Sequence, residues 1–309
     1  MANLSGCLAM SHGPQLMLNP SQWHLLGTRA GDKLPAKPEL EKETEEVKWN
    51  KWRRCMDAIA LLRAELEALR PDVILVVGDD QHENILDDNT PPFTVFIGTE
   101  AEASTSLKYL GQPKSENRAR YAIDTDLGRT LLSDLMDAGF DPAYSKNTRY
   151  EGGLGHAFAR VLKFLTPNLN CRILPIMVNT YFPPAPSPKR CVQFGRALTA
   201  AIRRCPGDQR VVVVASGGLS HTKINEKLDQ EFLNKLKRND VDGMAQMAAS
   251  LFVEGTSEIL NWIVVAAAAD QNVEVIDYQP LYRTKTGVGC AMGFARWKLN
   301  HGVGLAARR

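Results

Sequence analysis

The sequence lacks the features of a membrane-spanning or secreted chain. Its apolar runs stay shorter than the roughly 18 residues that a membrane helix needs. The first residues, MANLSGCLAMSHGP, have neither a basic start nor a continuous apolar core, so they do not resemble a secretory signal. We therefore expect a cytoplasmic protein with no membrane partner.

Excess charge and paired cysteines are also missing. The formal net charge is +2, and no long basic block or aromatic RNA-binding motif occurs, which argues against nucleic acid as a partner. The six cysteines are scattered without a Cys-x-x-Cys pair, as expected for reduced thiols rather than a disulfide framework. With 44% hydrophobic and 23% charged residues, the composition is that of a globular protein.

Short runs rich in valine and isoleucine alternate along the chain with helical patterns. Each run ends at glycine or a polar turn, which is typical of a strand covered on both faces. The predicted strands are 72–78, 172–180 and 210–218, the predicted helices are 44–69, 124–139, 189–204, 222–237 and 255–270, and the proline-rich segment 182–190 is a predicted loop. This alternation predicts an α/β fold: a single domain, residues 1–309, with a central mixed or parallel sheet flanked by helices.

Histidine is rare, and four of the six histidines stand beside glycine-rich or acidic turns, mostly where predicted strands end. These four are His12, His82, His156 and His221. In open α/β sheets, ligands and catalytic groups collect outside the carboxyl ends of the strands. Two or three of these imidazoles converging there would hold a metal ion. His24 and His301 lack such a turn, so we expect them to be structural or surface residues.

A metal site of this kind also needs a carboxylate, and several acidic residues compete for that place. The candidates are Asp79, Asp80, Glu83, Glu151 and Glu258. Glu258 differs from the others because it opens an apolar helix, where an unpaired buried carboxylate would be costly. Its alternative role is to cap the amino terminus of that helix.

Six motifs, taken in order along nearly the whole chain, identify a family. They are SHGPQLMLNP, GDDQHEN, NTYFPPAPSPKRC, ASGGLSH, GTSEILNW and YRTKTGVGCAMGFARW. Together they resemble the class III extradiol ring-cleavage dioxygenases, the family of the protocatechuate 4,5-dioxygenase catalytic subunit. Within that family the sequence looks most similar to the branch that includes 3-O-methylgallate dioxygenases.

The resemblance implies a non-haem Fe(II) site with two histidines and one carboxylate as ligands. Its positions match His12, His82 and Glu258 in this sequence. In many relatives the second histidine stands in a Gly-Pro-Asp-His turn. Here the turn reads Gly-Asp-Asp-Gln-His, one residue longer, which leaves Gln81 as an alternative occupant of that position.

The resemblance also implies two catalytic histidines beside the metal. His221 matches the active-site acid/base, and His156 matches a histidine that assists by hydrogen bonding to oxygen or to the substrate hydroxyl. A catechol loses a proton when it chelates the metal, and a proton must return later in the reaction. A histidine suits both transfers because it titrates near neutral pH.

The implied partners are O₂ and a small catechol, carboxylated or methoxylated, such as protocatechuate, gallate or 3-O-methylgallate. Tyr181 and Phe182 are expected to pack against the aromatic ring. Arg190 is the first candidate for binding a carboxylate, and the further candidates are Lys146, Arg149 and Arg283. The residues leave open an aminophenol as substrate and a homo-oligomer as the assembled state.

Two other functions remain as alternatives. A zinc-dependent hydrolase on the same fold would use His221 to activate water. A non-enzymatic binding module would keep the fold without turnover. A site that has lost its activity usually loses its ligands or its base, whereas this sequence retains His12, His82, Glu258 and His221.

Overall fold

Runs of β-branched residues form the centre of the sheet in the computed structural model, which describes residues 1–27 and 33–299. The strands are β1 (Asn3–Met10), β2 (Val73–Gly78), β3 (Phe93–Phe96), β4 (Glu100–Ser104), β5 (Arg118–Ala122), β6 (Ala143–Ser145), β7 (Arg172–Val178), β8 (Arg210–Ser216), β9 (His221–Lys223), β10 (Val273–Tyr282) and β11 (Val288–Trp297). The predicted strands correspond to β2, β7 and β8, which are parallel neighbours with β2 in the middle. His301 lies outside the described residues.

The sheet is mixed, as the sequence predicts. Nine strands belong to it, in the order β10-β11-β1-β8-β2-β7-β3-β6, with β9 paired to β11. Strand β1 is parallel to β8, whereas β11 is antiparallel to β1 and β10. Strands β4 and β5 form a separate two-stranded sheet. The predicted α/β class with a central mixed sheet is confirmed.

The helices of the described ranges include a counterpart for each of the five predicted segments. They are α1 (Glu45–Leu69), α2 (Thr125–Asp137), α3 (His156–Leu165), α4 (Pro188–Arg204), α5 (Glu226–Lys237), α6 (Val241–Ala245) and α7 (Ile259–Ala269). Every residue of α7 is buried, as its apolar sequence predicts. Among the helices in the described ranges, none is long and apolar enough to cross a membrane.

Two of the boundaries that differ from the prediction have clear local reasons. The predicted helix 222–237 begins only at Glu226, because 221–223 pair with β11 as strand β9. The predicted loop 182–190 ends early, because α4 begins at Pro188. Proline is tolerated in the first turn of a helix, and Ser187 caps this turn by accepting a hydrogen bond from the Arg190 backbone N–H.

The carboxyl ends of the parallel strands open onto one edge of the sheet. Strands β1, β2, β7 and β8 all run toward it, ending at Met10, Gly78, Val178 and Ser216. The segments that leave these ends carry His12, Gln81, Tyr181 and His221. Ligand sites in open α/β sheets form at this edge.

Candidate metal centre and substrate pocket

Three predicted site residues converge above this edge of the sheet. His12, His156 and Glu258 each offer one ligand atom, and these atoms all lie within 4.8 Å of one another. His12 Nε2 is 3.6 Å from Glu258 Oε1, and the rings of His12 and His156 meet edge to face with centroids 5.1 Å apart. His12 and Glu258 are buried, so the group is largely shielded from water.

The buried hydroxyl of Ser216 determines which ring nitrogen of His12 faces the cluster. Ser216 Oγ donates a hydrogen bond to the carbonyl oxygen of Ala157, 2.5 Å away. Its lone pairs therefore remain to accept the hydrogen bond from His12 Nδ1–H at 2.9 Å. The proton on Nδ1 leaves the lone pair of His12 Nε2 directed toward Glu258.

Similar contacts orient the other two histidines. His156 Nδ1 is 2.9 Å from Glu83 Oε2, which also accepts the His156 backbone N–H. Burial acts to raise the pKa of Glu83, but the charge and hydrogen bonds of His156 hold it below its usual value, so Glu83 is an ionised acceptor. His221 Nδ1 donates to the carbonyl oxygen of Leu219 at 3.1 Å. In the neutral form of each ring the lone pair is therefore on Nε2, the nitrogen that suits a metal or a proton.

Glu258 is a buried carboxylate that the protein holds by both oxygens. The Gly218 backbone N–H donates to Oε2 at 3.0 Å, and Gln81 Nε2 donates to Oε1 at 2.5 Å. Burial raises the pKa of Glu258 to about 7, against the opposing effects of His156, Gly218 and Gln81. Its side chain makes no capping hydrogen bond to α7, so the structure does not support the helix-cap alternative.

Two glycines are required where the backbone approaches these side chains. Gly217 has a φ of 104°, and a Cβ there would lie 2.3 Å from Glu258 Oε2. A Cβ on Gly255 would lie 1.9 Å from His221 Nε2. His221 Nε2 is itself 4.0 Å from Glu258 Oε2, beside the three-residue cluster rather than in it.

His82 lies apart from the cluster. Its Nε2 is 3.1 Å from Asp87 Oδ1, and its ring stacks on Phe182 with centroids 3.3 Å apart. Gln81, the preceding residue, takes the place beside Glu258. Both Gln81 and His82 have positive φ angles, 49° and 60°, so the longer turn directs adjacent side chains to different surroundings.

A pocket of about 500 Å³ opens over the cluster. Tyr181 lines it as predicted, together with His221 and the predicted cation candidate Arg283. Phe182 instead contacts His82, and the Arg190 guanidinium lies 3.6 Å from the centre of the Phe140 ring.

Arg190 turns away from the pocket because it belongs to the first turn of α4, where it also donates to the carbonyl oxygen of Gly139. Two more of the predicted cations, Lys146 and Arg149, also have contacts outside the pocket. Lys146 lies over the ring of Tyr144, and Arg149 pairs with Asp88.

Several pocket residues were not singled out from the sequence. Arg160 is the clearest example: it is buried, lines the pocket and donates to the carbonyl oxygen of His12 at 3.2 Å. Its position four residues after His156 on α3 is the signal that would have found it, since residues spaced in this way share one face of a helix. Lys114 and Tyr150 also line the pocket, and no local pattern marks them.

Comparison with known proteins identifies relatives that are named as dioxygenases. The chain is 30% identical over 168 residues to a 2,3-dihydroxyphenylpropionate/2,3-dihydroxicinnamic acid 1,2-dioxygenase of Azotobacter vinelandii, covering 54% of this chain and 49% of the relative. It is 28% identical over 168 residues to a gallate dioxygenase of Pseudomonas putida, covering 50% and 46%. The chain thus spans about half the length of the curated relatives it matches.

A solved structure and a family model extend the comparison over most of the chain. The crystal structure of an uncharacterised protein from Escherichia coli K12 matches with a TM-score of 0.50 and 14% identity, covering 94% of this chain and 99% of that one, which supports the fold alone. The model of the catalytic LigB subunit of aromatic ring-opening dioxygenase matches residues 38–293. The family predicted from the sequence motifs is therefore confirmed, and the chain belongs to the LigB family of aromatic ring-opening dioxygenases.

Proposed function

We propose that the protein is a non-haem Fe(II)-dependent extradiol dioxygenase that cleaves the ring of a catechol-type substrate with O₂. The observation that carries this proposal is the convergence of His12, His156 and Glu258 beneath a pocket that also contains His221. We propose that residues 1–309 act as one catalytic domain, which the pairing of β1 with β11 supports. The predicted cytoplasmic location stays a prediction.

The donor set fits a divalent cation. Glu258 is a buried carboxylate beside two imidazoles whose Nε2 lone pairs can bind a metal. Burying its negative charge without a partner costs free energy, and a positive ion would offset that cost. Two histidines and one carboxylate are the donors that non-haem Fe(II) oxygenases use. We propose His12, Glu258 and His156 as the ligands, with His156 taking the place that the resemblance implies for His82. Bound Fe(II) would supply a site that chelates adjacent ring oxygens and activates O₂.

His221 is the proposed acid/base. Its Nδ1–H is held by the carbonyl oxygen of Leu219, so Nε2 is the atom that accepts the proton of a substrate hydroxyl and later returns it. Gly255 supports this role because its missing side chain leaves room for the imidazole. The resemblance implies a different role for His156, hydrogen bonding to the substrate hydroxyl. That role is the alternative if a His156→Ala variant still binds the metal.

The proposed substrate is a carboxylated or methoxylated catechol, such as protocatechuate, gallate or 3-O-methylgallate. The named activities of the relatives on gallate and on dihydroxyphenylpropionate support a catechol bearing an acidic group. Tyr181 supplies an aromatic wall against which such a ring would pack.

Anaerobic reconstitution with Fe(II), followed by oxygen-electrode traces, tests the function. The panel is protocatechuate, gallate, 3-O-methylgallate, homoprotocatechuate and an aminophenol. We expect oxygen uptake with a yellow ring-opened product from at least one of them. Zinc retention with hydrolysis and no oxygen uptake would instead favour the hydrolase, and catechol binding without any turnover would favour a binding module.

A further inference from the structure

An arm outside the central sheet reaches over the pocket. Strands β4 and β5 form the stem of this arm, and residues 105–117 connect them. The Ser104 backbone N–H donates to the carbonyl oxygen of Gly152 at 2.8 Å, and the Leu154 N–H donates to that of Glu102 at 2.7 Å. These bonds attach the stem to the segment just before His156. The connecting residues that line the pocket are Ser106, Leu107, Lys108, Tyr109 and Lys114.

The ammonium of Lys114 is held within the pocket by two contacts. Lys114 Nζ donates to the carbonyl oxygen of Ser106 at 2.9 Å and lies 5.4 Å from the centre of the Tyr150 ring. Both partners line the same pocket, and Lys114 is only partly exposed. An ammonium has three N–H bonds, so one bond to a carbonyl leaves it able to donate to a ligand.

Positive charge exceeds negative charge along the described pocket wall. The cationic side chains there are Lys108, Lys114, Arg160 and Arg283, and the carboxylates are Glu83 and Glu258. Glu83 is already paired with His156, and Arg160 is directed to the carbonyl oxygen of His12. A divalent cation at the three-residue cluster would add to the excess. A ring bound through its hydroxyl oxygens would balance charge at the metal end and leave the arm side positive.

We propose that Lys114 binds an acidic substituent of the aromatic substrate, a carboxylate on the ring or on a short side chain. The inference rests on the proposed function in one respect, namely that the hydroxyl oxygens of the ring are bound at the three-residue cluster. Lys114 takes the role predicted for Arg190, whose guanidinium lies over Phe140 outside this pocket.

Matched pairs of acid and ester test whether Lys114 recognises charge. Anaerobic titration calorimetry on the Fe(II)-loaded protein compares protocatechuate and gallate with their methyl esters. For Lys114→Met we expect affinity for the acids to fall about 10- to 100-fold, the usual effect of losing a hydrogen bond to a charged group, with ester affinity within about twofold. Lys114→Arg should restore most of the acid affinity. Lys146→Met is the control, because Lys146 also lies over a tyrosine ring but outside the pocket.

Three results would overturn the inference: an equal loss for acid and ester, no loss for either, or a wild-type protein that does not prefer the acid. An equal loss would mean that Lys114 shapes the pocket without recognising charge. Oxygen uptake on the same samples separates this inference from the proposed function. If Lys114→Met loses affinity only for the acids and the wild-type protein shows no oxygen uptake, the role of Lys114 is supported and the dioxygenase function is rejected. If Lys114→Met binds the acids normally and the wild-type protein takes up oxygen rapidly, the dioxygenase function is supported and the role of Lys114 is rejected.

Discussion

Replacing Glu83 with alanine is expected to weaken Fe(II) binding by about 10- to 100-fold, the usual effect of removing a carboxylate that orients a metal-binding histidine. Glu83 Oε2 accepts both the Nδ1–H and the backbone N–H of His156, at 2.9 and 2.8 Å. Without it, the His156 ring loses the contact that fixes its tautomer and direction. Glu83→Gln keeps an acceptor but loses the charge, so its effect should be smaller.

Asp87 provides the matched control, because it faces the competing histidine. Asp87 Oδ1 is 3.1 Å from His82 Nε2, so each candidate ligand has its own carboxylate partner. If His156 binds the metal, Asp87→Ala should leave Fe(II) affinity within about twofold of the wild-type value, since an exposed pair contributes little. His156→Ala should abolish tight binding, and His82→Ala should not.

Anaerobic competition with a chromophoric chelator measures the Fe(II) dissociation constant of each variant. Thermal unfolding of the metal-free proteins checks that Glu83→Ala remains folded, and Glu83→Gln serves if it does not. Weaker Fe(II) binding by Asp87→Ala and His82→Ala, with normal binding by the Glu83 and His156 variants, would contradict the assignment of His156 as a ligand. That pattern would show that His82, and not His156, is the second histidine ligand.

Four further predictions concern the proposed acid/base, the proposed carboxylate ligand and the opposite end of the sheet. His221→Ala should retain Fe(II) and lose about 10²- to 10⁴-fold in ring cleavage by oxygen uptake; full activity would remove His221 from proton transfer. Gly255→Ala should show a similar loss with the metal retained, because its Cβ would lie 1.9 Å from His221 Nε2; wild-type turnover would show that the imidazole has room to move. Glu258→Ala should lose iron by elemental analysis, and unchanged iron content would exclude Glu258 as a ligand. Hydrogen bonds from Arg210 lower the pKa of Asp72 to about 2, so this pair stabilises the fold above about pH 4, and the effect is lost as pH falls through 2; after solvent screening, Asp72→Asn should cost about 1 kcal/mol or less by urea unfolding at pH 7, with most of that difference gone at pH 2.

The strands at the centre of the sheet could be predicted because their sequences alone require burial. The runs that form β2, β7 and β8 have nearly every residue buried. Strands β10 and β11 lack such a pattern, since β10 contains Pro280 and β11 is rich in glycine and alanine. Their place is determined by pairing between distant residues, such as Cys7 opposite Trp297, which no local pattern reveals.

The sequence could predict which turns carry the site but not the direction of each side chain within them. The four histidines at these turns, His12, His82, His156 and His221, all line one pocket. Adjacent residues in the longer turn then diverge, with Gln81 directed to Glu258 and His82 to Phe182. Arg190 fails as a pocket residue for a related reason, because proximity to the proline-rich loop in sequence says nothing about the face of α4 on which it lies.

The partners of the histidines differ in their exposure and in their distance along the sequence. The Asp87 side chain is 90% exposed, so its attraction for His82 is screened by water, and the other face of contact for that imidazole is the stacked ring of Phe182. The Glu83 side chain is only 16% exposed, and it contacts His156, which lies 73 residues later in the sequence. Ser216 is hydrogen-bonded to His12, although the two residues are 204 positions apart in the sequence. Long-range, shielded partners of this kind form only when the whole sheet is assembled, so the orientation of His12 and His156 toward Glu258 is a property of the complete fold.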